Sequence, residues 1–130
     1  MEINLPDVVR EVEAAFQRYE RALNDNDVSV LDELFWRSPL AVRYGAGEEL
    51  YGHAAIAGFR ASREPSAARR KLLRTVITAY GRNFATVCCE FERLGTNRRG
   101  RQTQAWIRTG EGWRIAAAHV SLASEGGERR

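Results

Sequence analysis

Apolar residues recur at three- and four-residue steps near the N-terminus, then in simple alternation over the second half of the chain. Val8, Val12, Ala15, Phe16, Tyr19 and Leu23 fall on one stripe, which is the spacing of an amphipathic helix. Pro6 suits the first turn, where its missing N–H leaves no bond unmade. A helix is therefore predicted over 6–23, stopped by Asn24-Asp25-Asn26-Asp27. Asp27 can cap a second short helix whose inner face is Leu31, Leu34 and Phe35, and Ser38-Pro39 ends it. A short strand over 40–44 follows, then a tight turn at Gly45-Ala46-Gly47 and a return strand to Tyr51. A third helix begins near Gly52-His53, carries Ile56, Phe59 and Arg60, and runs to about Arg63.

From residue 72 the period shortens. Four long strands are predicted over 72–80, 84–93, 101–109 and 113–123, joined by glycine-bearing connections at Gly81, Gly95 to Gly100 and Gly110-Glu111-Gly112. Short links of this kind make antiparallel hairpins, so the strands should form a meander. Helices first and long strands afterwards argue an α+β fold, a curved, mostly antiparallel sheet wrapped around three helices. Such a sheet leaves a cone with the first helix as its lid, and a pocket inside. The chain reads as one domain over 1–123, with a small, charged tail at 124–130 expected to fray.

The formal net charge is only +3, and arginines and glutamates are scattered rather than gathered on a face with interleaved aromatics. Nucleic acid is therefore not an expected partner. The arginine-rich stretch Asn97-Arg98-Arg99-Gly100-Arg101 reads as a solvated hairpin. No apolar run spans a bilayer and no basic-then-apolar leader is seen, so a cytoplasmic protein off the membrane is expected. The two cysteines, Cys88 and Cys89, are adjacent and face opposite ways in a strand, which leaves no disulfide framework. His53 and His119 are the only histidines and form no ligand pattern, so no metal is expected; there is also no phosphate loop and no G-x-G-x-x-G.

Few residues are left to carry chemistry. Tyr19 lies on the buried stripe, either as a core tyrosine or as a phenol aimed into the cone. Arg43 sits mid-strand beside the small Ala41 and Gly45, either at the sheet rim or pointing inward with room around it. Gln102, Gln104 and Trp106 share a face, and Gln104 with Trp106 would make a polar and aromatic wall. In the last strand Ala116, Ala118 and Val120 are expected toward the cone, leaving Trp113, Ile115, Ala117, His119 and Ser121 outside. That outer face looks too apolar for a monomer, so a homodimer or larger homo-oligomer is expected. His119 would serve it structurally.

These pieces together resemble a known family. The segments EINLPDVVREVEAAFQRYERAL, LDELFWRSPLAVRYGAGEELYGHAAIAGFR, RTVITAYGRNFATVCCEF, GRQTQAWIR and GWRIAAAHVSL are similar to the AtzH-like proteins, which include the oxalurate-catabolism proteins called HpxZ. The resemblance implies an NTF2-like (SnoaL-like) cone, and decarboxylation of 1,3-dicarboxyurea to allophanate or of a related ureido acid without a cofactor. It also implies a catalytic pair that falls on Tyr19 in FQRYE and Arg43 in AVRYG. Around them Trp36, Phe59, Arg60, Gln104, Trp106 and Val120 are the expected substrate-binding wall, with a small anion as substrate. The alternative is a binding module or accessory subunit of a ureido-acid amidohydrolase, since one fold hosts many functions.

Overall fold

The computed structural model describes residues 1–124; the expected tail at 124–130 lies almost wholly outside the described residues. The first helix, α1 (Pro6–Asp25), buries Val8, Val12, Phe16, Tyr19 and Leu23, the stripe that its spacing predicts. It ends where Asn26 adopts the left-handed conformation at φ 54°, a conformation asparagine tolerates better than most residues. Asp27 then caps α2 (Val28–Leu34), its Oδ1 accepting from the Val30 N–H at 3.3 Å. The hairpin β1 (Val42–Tyr44) and β2 (Glu49–Tyr51) leads to α3 (His53–Ser62). Four long strands follow: β3 (Arg70–Tyr80), β4 (Phe84–Arg93), β5 (Arg99–Thr109) and β6 (Gly112–Leu122).

One six-stranded sheet has the order β2-β1-β6-β5-β4-β3. The meander is as expected, and β1 joins it by pairing parallel to β6. Helix α1 packs across the concave side, against β3 and β6. Between helix and sheet lies the core: Val8, Val12, Leu31, Ala85, Trp106 and Ile115 are all fully buried. Each large apolar side chain removed from water there contributes roughly 1.5–3 kcal/mol.

One expectation about faces fails, and the reason is local. In β6 Ala117 pairs with Ala105 and Ile115 with Trp106, so Ala116 is an extra residue and the strand bulges. A bulge reverses the alternation beyond it. Trp113 and Ile115 therefore point into the core along with Ala118 and Val120, and of the expected outer set His119 alone is well exposed. The apolar face that argued for self-association is not formed by those residues. His119 instead meets the edge of the Tyr44 ring, with centroids 5.6 Å apart.

Two glycines make room for the site. A Cβ on Gly100 would lie 2.4 Å from Cζ of Phe91, so only glycine lets that ring lie flat across β5. A Cβ on Gly45 would collide with the carboxylate of Glu48, which folds back over the β1–β2 turn toward Arg43.

Candidate active site

The concave face holds a small cleft, partly open to solvent, lined by Tyr19, Arg43, Arg63, Arg70, Arg93 and Gln102 among others. Helix α1 brings Tyr19 to it from above, 1% exposed. The sheet brings Arg43 from below. Arg43 lies beside Ala118 and Ala118 beside Gln104, so the three form one inward row. Of the two readings of Arg43, the inward one holds, because the side chain is buried and stacks on Phe59 at 5.1 Å.

Arg60 comes from α3, 1% exposed, and its Nη2 donates to the Tyr19 hydroxyl at 3.0 Å. Its guanidinium also lies 5.2 Å from the Phe35 ring centroid, a contact that holds a cation without neutralising it. The hydroxyl thus accepts from Arg60 and finds no acceptor for its own proton among the described residues. Burial alone would push the Tyr19 phenol up, but the charges of Arg60, Arg70 and Arg43 together outweigh it and bring it down from 10 to about 8. At neutral pH it is a protonated donor, and a far better acid than tyrosine in water.

Two carboxylates enter this cluster. Glu20 receives Arg70 in a two-toothed pair, Nε to Oε1 at 3.2 Å and Nη2 to Oε2. Burial alone would lower the Arg70 pKa; the Glu20 contact outweighs it and raises it. Glu48 receives Nη1 of Arg43 at 2.7 Å. Five arginines (43, 60, 63, 70 and 93) thus face two carboxylates. Nε of Arg43, Nε and Nη1 of Arg60, and Nε and Nη2 of Arg63 are buried with no acceptor among the described residues. An unpaired buried donor is costly, and those of Arg43 and Arg63 belong to residues that line the cavity.

The expected wall is only partly brought together. Val120 lines the cavity, Phe59 lies under Arg43, and Arg60 reaches Tyr19. Gln104 and Trp106 sit below the lining, with Trp106 Nε1 donating to Gln104 Oε1 at 2.9 Å and Trp106 completely buried. Trp36 is elsewhere, in a separate cleft with Glu33, Arg37 and Arg114. Phe35 is extended (ψ 141°) and turned inward, so its neighbour Trp36 must face the other way. Arg63, Arg70, Arg93, Gln102 and Glu48 were not expected at the site. Their one signal in the sequence is position: Arg63 falls at the expected end of the third helix, three residues after Arg60, and Gln102 shares the parity of Gln104.

Among the described residues no group of three histidine, cysteine or acidic side chains is placed to hold a metal. His53 Nε2 lies 2.7 Å from the Asp32 carbonyl oxygen, away from the cavity residues. No helix among the described residues is long and apolar enough to cross a membrane.

Two solved structures resemble the whole chain. A protein of unknown function of the DUF3225 family from Pectobacterium atrosepticum is 54% identical, covering 94% of this chain and 95% of its own, with a TM-score of 0.90. A cystatin-like fold protein from Burkholderia xenovorans is 49% identical, covering 96% and 98%, also at 0.90. An NTF2-like superfamily protein from Salmonella enterica shares the fold at 24% identity and a TM-score of 0.75, covering 93% and 94%. No curated protein matches the chain. The AtzH-like family model matches residues 1–126. With that span, and a cone in which helices lie on the concave side of an open sheet, the chain is a member of the AtzH-like family, of NTF2-like fold.

Proposed function

We propose that the protein is a cofactor-independent decarboxylase of a small N-carboxylated urea, 1,3-dicarboxyurea or a related ureido acid. The observation that carries this reading is the buried Tyr19 hydroxyl held among guanidinium groups that lack acceptors. Arg43 takes a substrate carboxylate on its free Nε edge while Glu48 fixes the other side of the guanidinium. Tyr19 delivers its proton to the urea nitrogen that bears the departing carboxylate. The N–C bond breaks, its electron pair stays on nitrogen, carbon dioxide leaves, and the phenolate takes a proton back from water. Arg60 holds the phenolate in the interval.

This mechanism differs from the one that the aromatic residues invite. A wall of Trp36, Phe59 and Trp106 would act by desolvating the carboxylate. The cavity is lined with arginines instead, so orientation and proton delivery do the work. Arg43→Lys keeps the charge and loses the planar fork. Its KM should rise by roughly 10- to 100-fold, the equivalent of one charge-assisted hydrogen bond, with a smaller change in kcat. An unchanged KM would remove Arg43 from carboxylate binding.

Arg60→Met tests the tuning of the phenol. The substitution removes a buried cation and its orphaned donors together, which is often tolerated. Burial then acts on Tyr19 against fewer charges, so the alkaline limb of kcat should move upward by about one pH unit or more. Activity at neutral pH should fall, because the phenol is a weaker acid. A limb that stays near 8 would mean that Arg60 does not set it. Saturable binding of the ureido acid without turnover would instead support a ligand carrier, working beside an amidohydrolase.

A further inference from the structure

Arg63 stands just beyond the C-terminal end of α3 and lines the same cavity as Tyr19 and Arg43. Its unpartnered nitrogens are Nε and Nη2, both buried. These two lie on one edge of the guanidinium and are the pair that grips a carboxylate with two parallel bonds. Neighbouring charge does not explain them. Burial and the adjacent Arg60 bring the Arg63 pKa down to about 10, so the cation sits in a place that disfavours it and yet stays charged at neutral pH.

The placement of this edge is fixed by Phe59. The guanidinium of Arg43 lies 5.1 Å from that ring's centroid and the guanidinium of Arg63 lies 5.7 Å from it. The two cations are therefore no more than about 11 Å apart, the sum of those distances. Arg43 offers Nε and Arg63 offers Nε with Nη2. With a contact of about 2.8 Å at each end, only a short spacer fits between two carboxylates held in this way.

We infer that Arg63 is a second anion subsite, and that Arg43 and Arg63, both in contact with the Phe59 ring, select a short molecule with a carboxylate at each end. This rests on the reading of the cavity as the site for an N-carboxylated urea, and names the residue that would distinguish a dianion from a monoanion there. Arg43 alone would accept any small carboxylate. Arg63 gives a substrate with a second carboxylate the additional contacts, and a substrate with a neutral far end would leave the Arg63 edge unpaired.

The test is binding and needs no turnover. Titrating the wild-type protein calorimetrically with malonate, succinate, glutarate and acetate at neutral pH should show one of the dicarboxylates binding at least tenfold tighter than acetate. Arg63→Gln should lose that preference, by roughly 10- to 100-fold for the dicarboxylate, so that the dicarboxylate binds no better than acetate. Arg63→Lys should recover only part of it, because an ammonium cannot form the paired edge. A wild type without preference for any dicarboxylate would overturn the inference, as would Arg63→Gln with the preference intact. Arg63-dependent dicarboxylate binding in a protein that releases carbon dioxide from 1,3-dicarboxyurea no faster than the spontaneous rate would reject the decarboxylase and leave this subsite standing.

Discussion

Tyr19→Phe is expected to lower turnover by roughly 10²–10⁴-fold, the range for removing a general acid, with KM little changed. The ring stays and its packing under α1 is kept; only the hydroxyl goes. Volume alone would suggest no cost in stability. The hydrogen bonds say otherwise, because the hydroxyl is the acceptor for Nη2 of Arg60. Without it that buried guanidinium loses its one hydrogen bond among the described residues, at a cost of about 1–3 kcal/mol. Melting temperature should therefore drop by several degrees, and turnover must be compared well below both transitions. Normal turnover in Tyr19→Phe would take the proton-donor role away from this residue.

Glu20→Gln is expected to be the most destabilising single change at the site. Glu20 holds Arg70 with both carboxylate oxygens, one residue along α1 from Tyr19. Arg70 stacks on Phe91 at 4.6 Å, and its side chain is 4% exposed. An amide leaves that buried cation without a counter-charge and replaces one of its two acceptors by an NH2 donor. Breaking a buried pair from one side costs about 3–5 kcal/mol, and the small exposure of Glu20 argues for the lower end. For a chain of this size the melting temperature should fall by about 10 °C, read by circular dichroism. Replacing both partners, as Glu20→Leu with Arg70→Met, should restore most of the loss. A single variant as stable as wild type would mean that the pair is solvated in solution.

The elements were legible because their signals are strong and local. The α1 stripe, the Asp27 cap and the glycine connections each act within a few residues, and each element was placed within one or two residues at most ends. What the pattern hid was the bulge at Ala116. The run Ala116-Ala117-Ala118 has no apolar contrast, so a break in alternation there leaves no trace in composition. Everything before it was assigned to the wrong face, Trp113 and Ile115 included. The same limit applies at Phe35-Trp36, where two large aromatics side by side cannot both face inward and nothing local says which does. Tyr19 and Arg43 stood out as polar groups in apolar or small-residue surroundings. Arg63, Arg70 and Arg93 did not, because an arginine at the end of a helix or strand is ordinarily solvated. Only the closure of α3 and the strand ends around one cavity makes them a group.

The central claim is that a tyrosine acid, tuned by buried arginines, drives loss of carbon dioxide. The most direct measurement is carbon dioxide release from 1,3-dicarboxyurea generated in situ, followed against pH with wild-type protein and corrected for the spontaneous rate. A general acid must be protonated to act, so kcat should hold at neutral pH and fall as pH rises through about 8, the pKa of Tyr19 in this site. Release no faster than the spontaneous rate, or a kcat that stays level from pH 7 to about 10 where an ordinary tyrosine titrates, would contradict it.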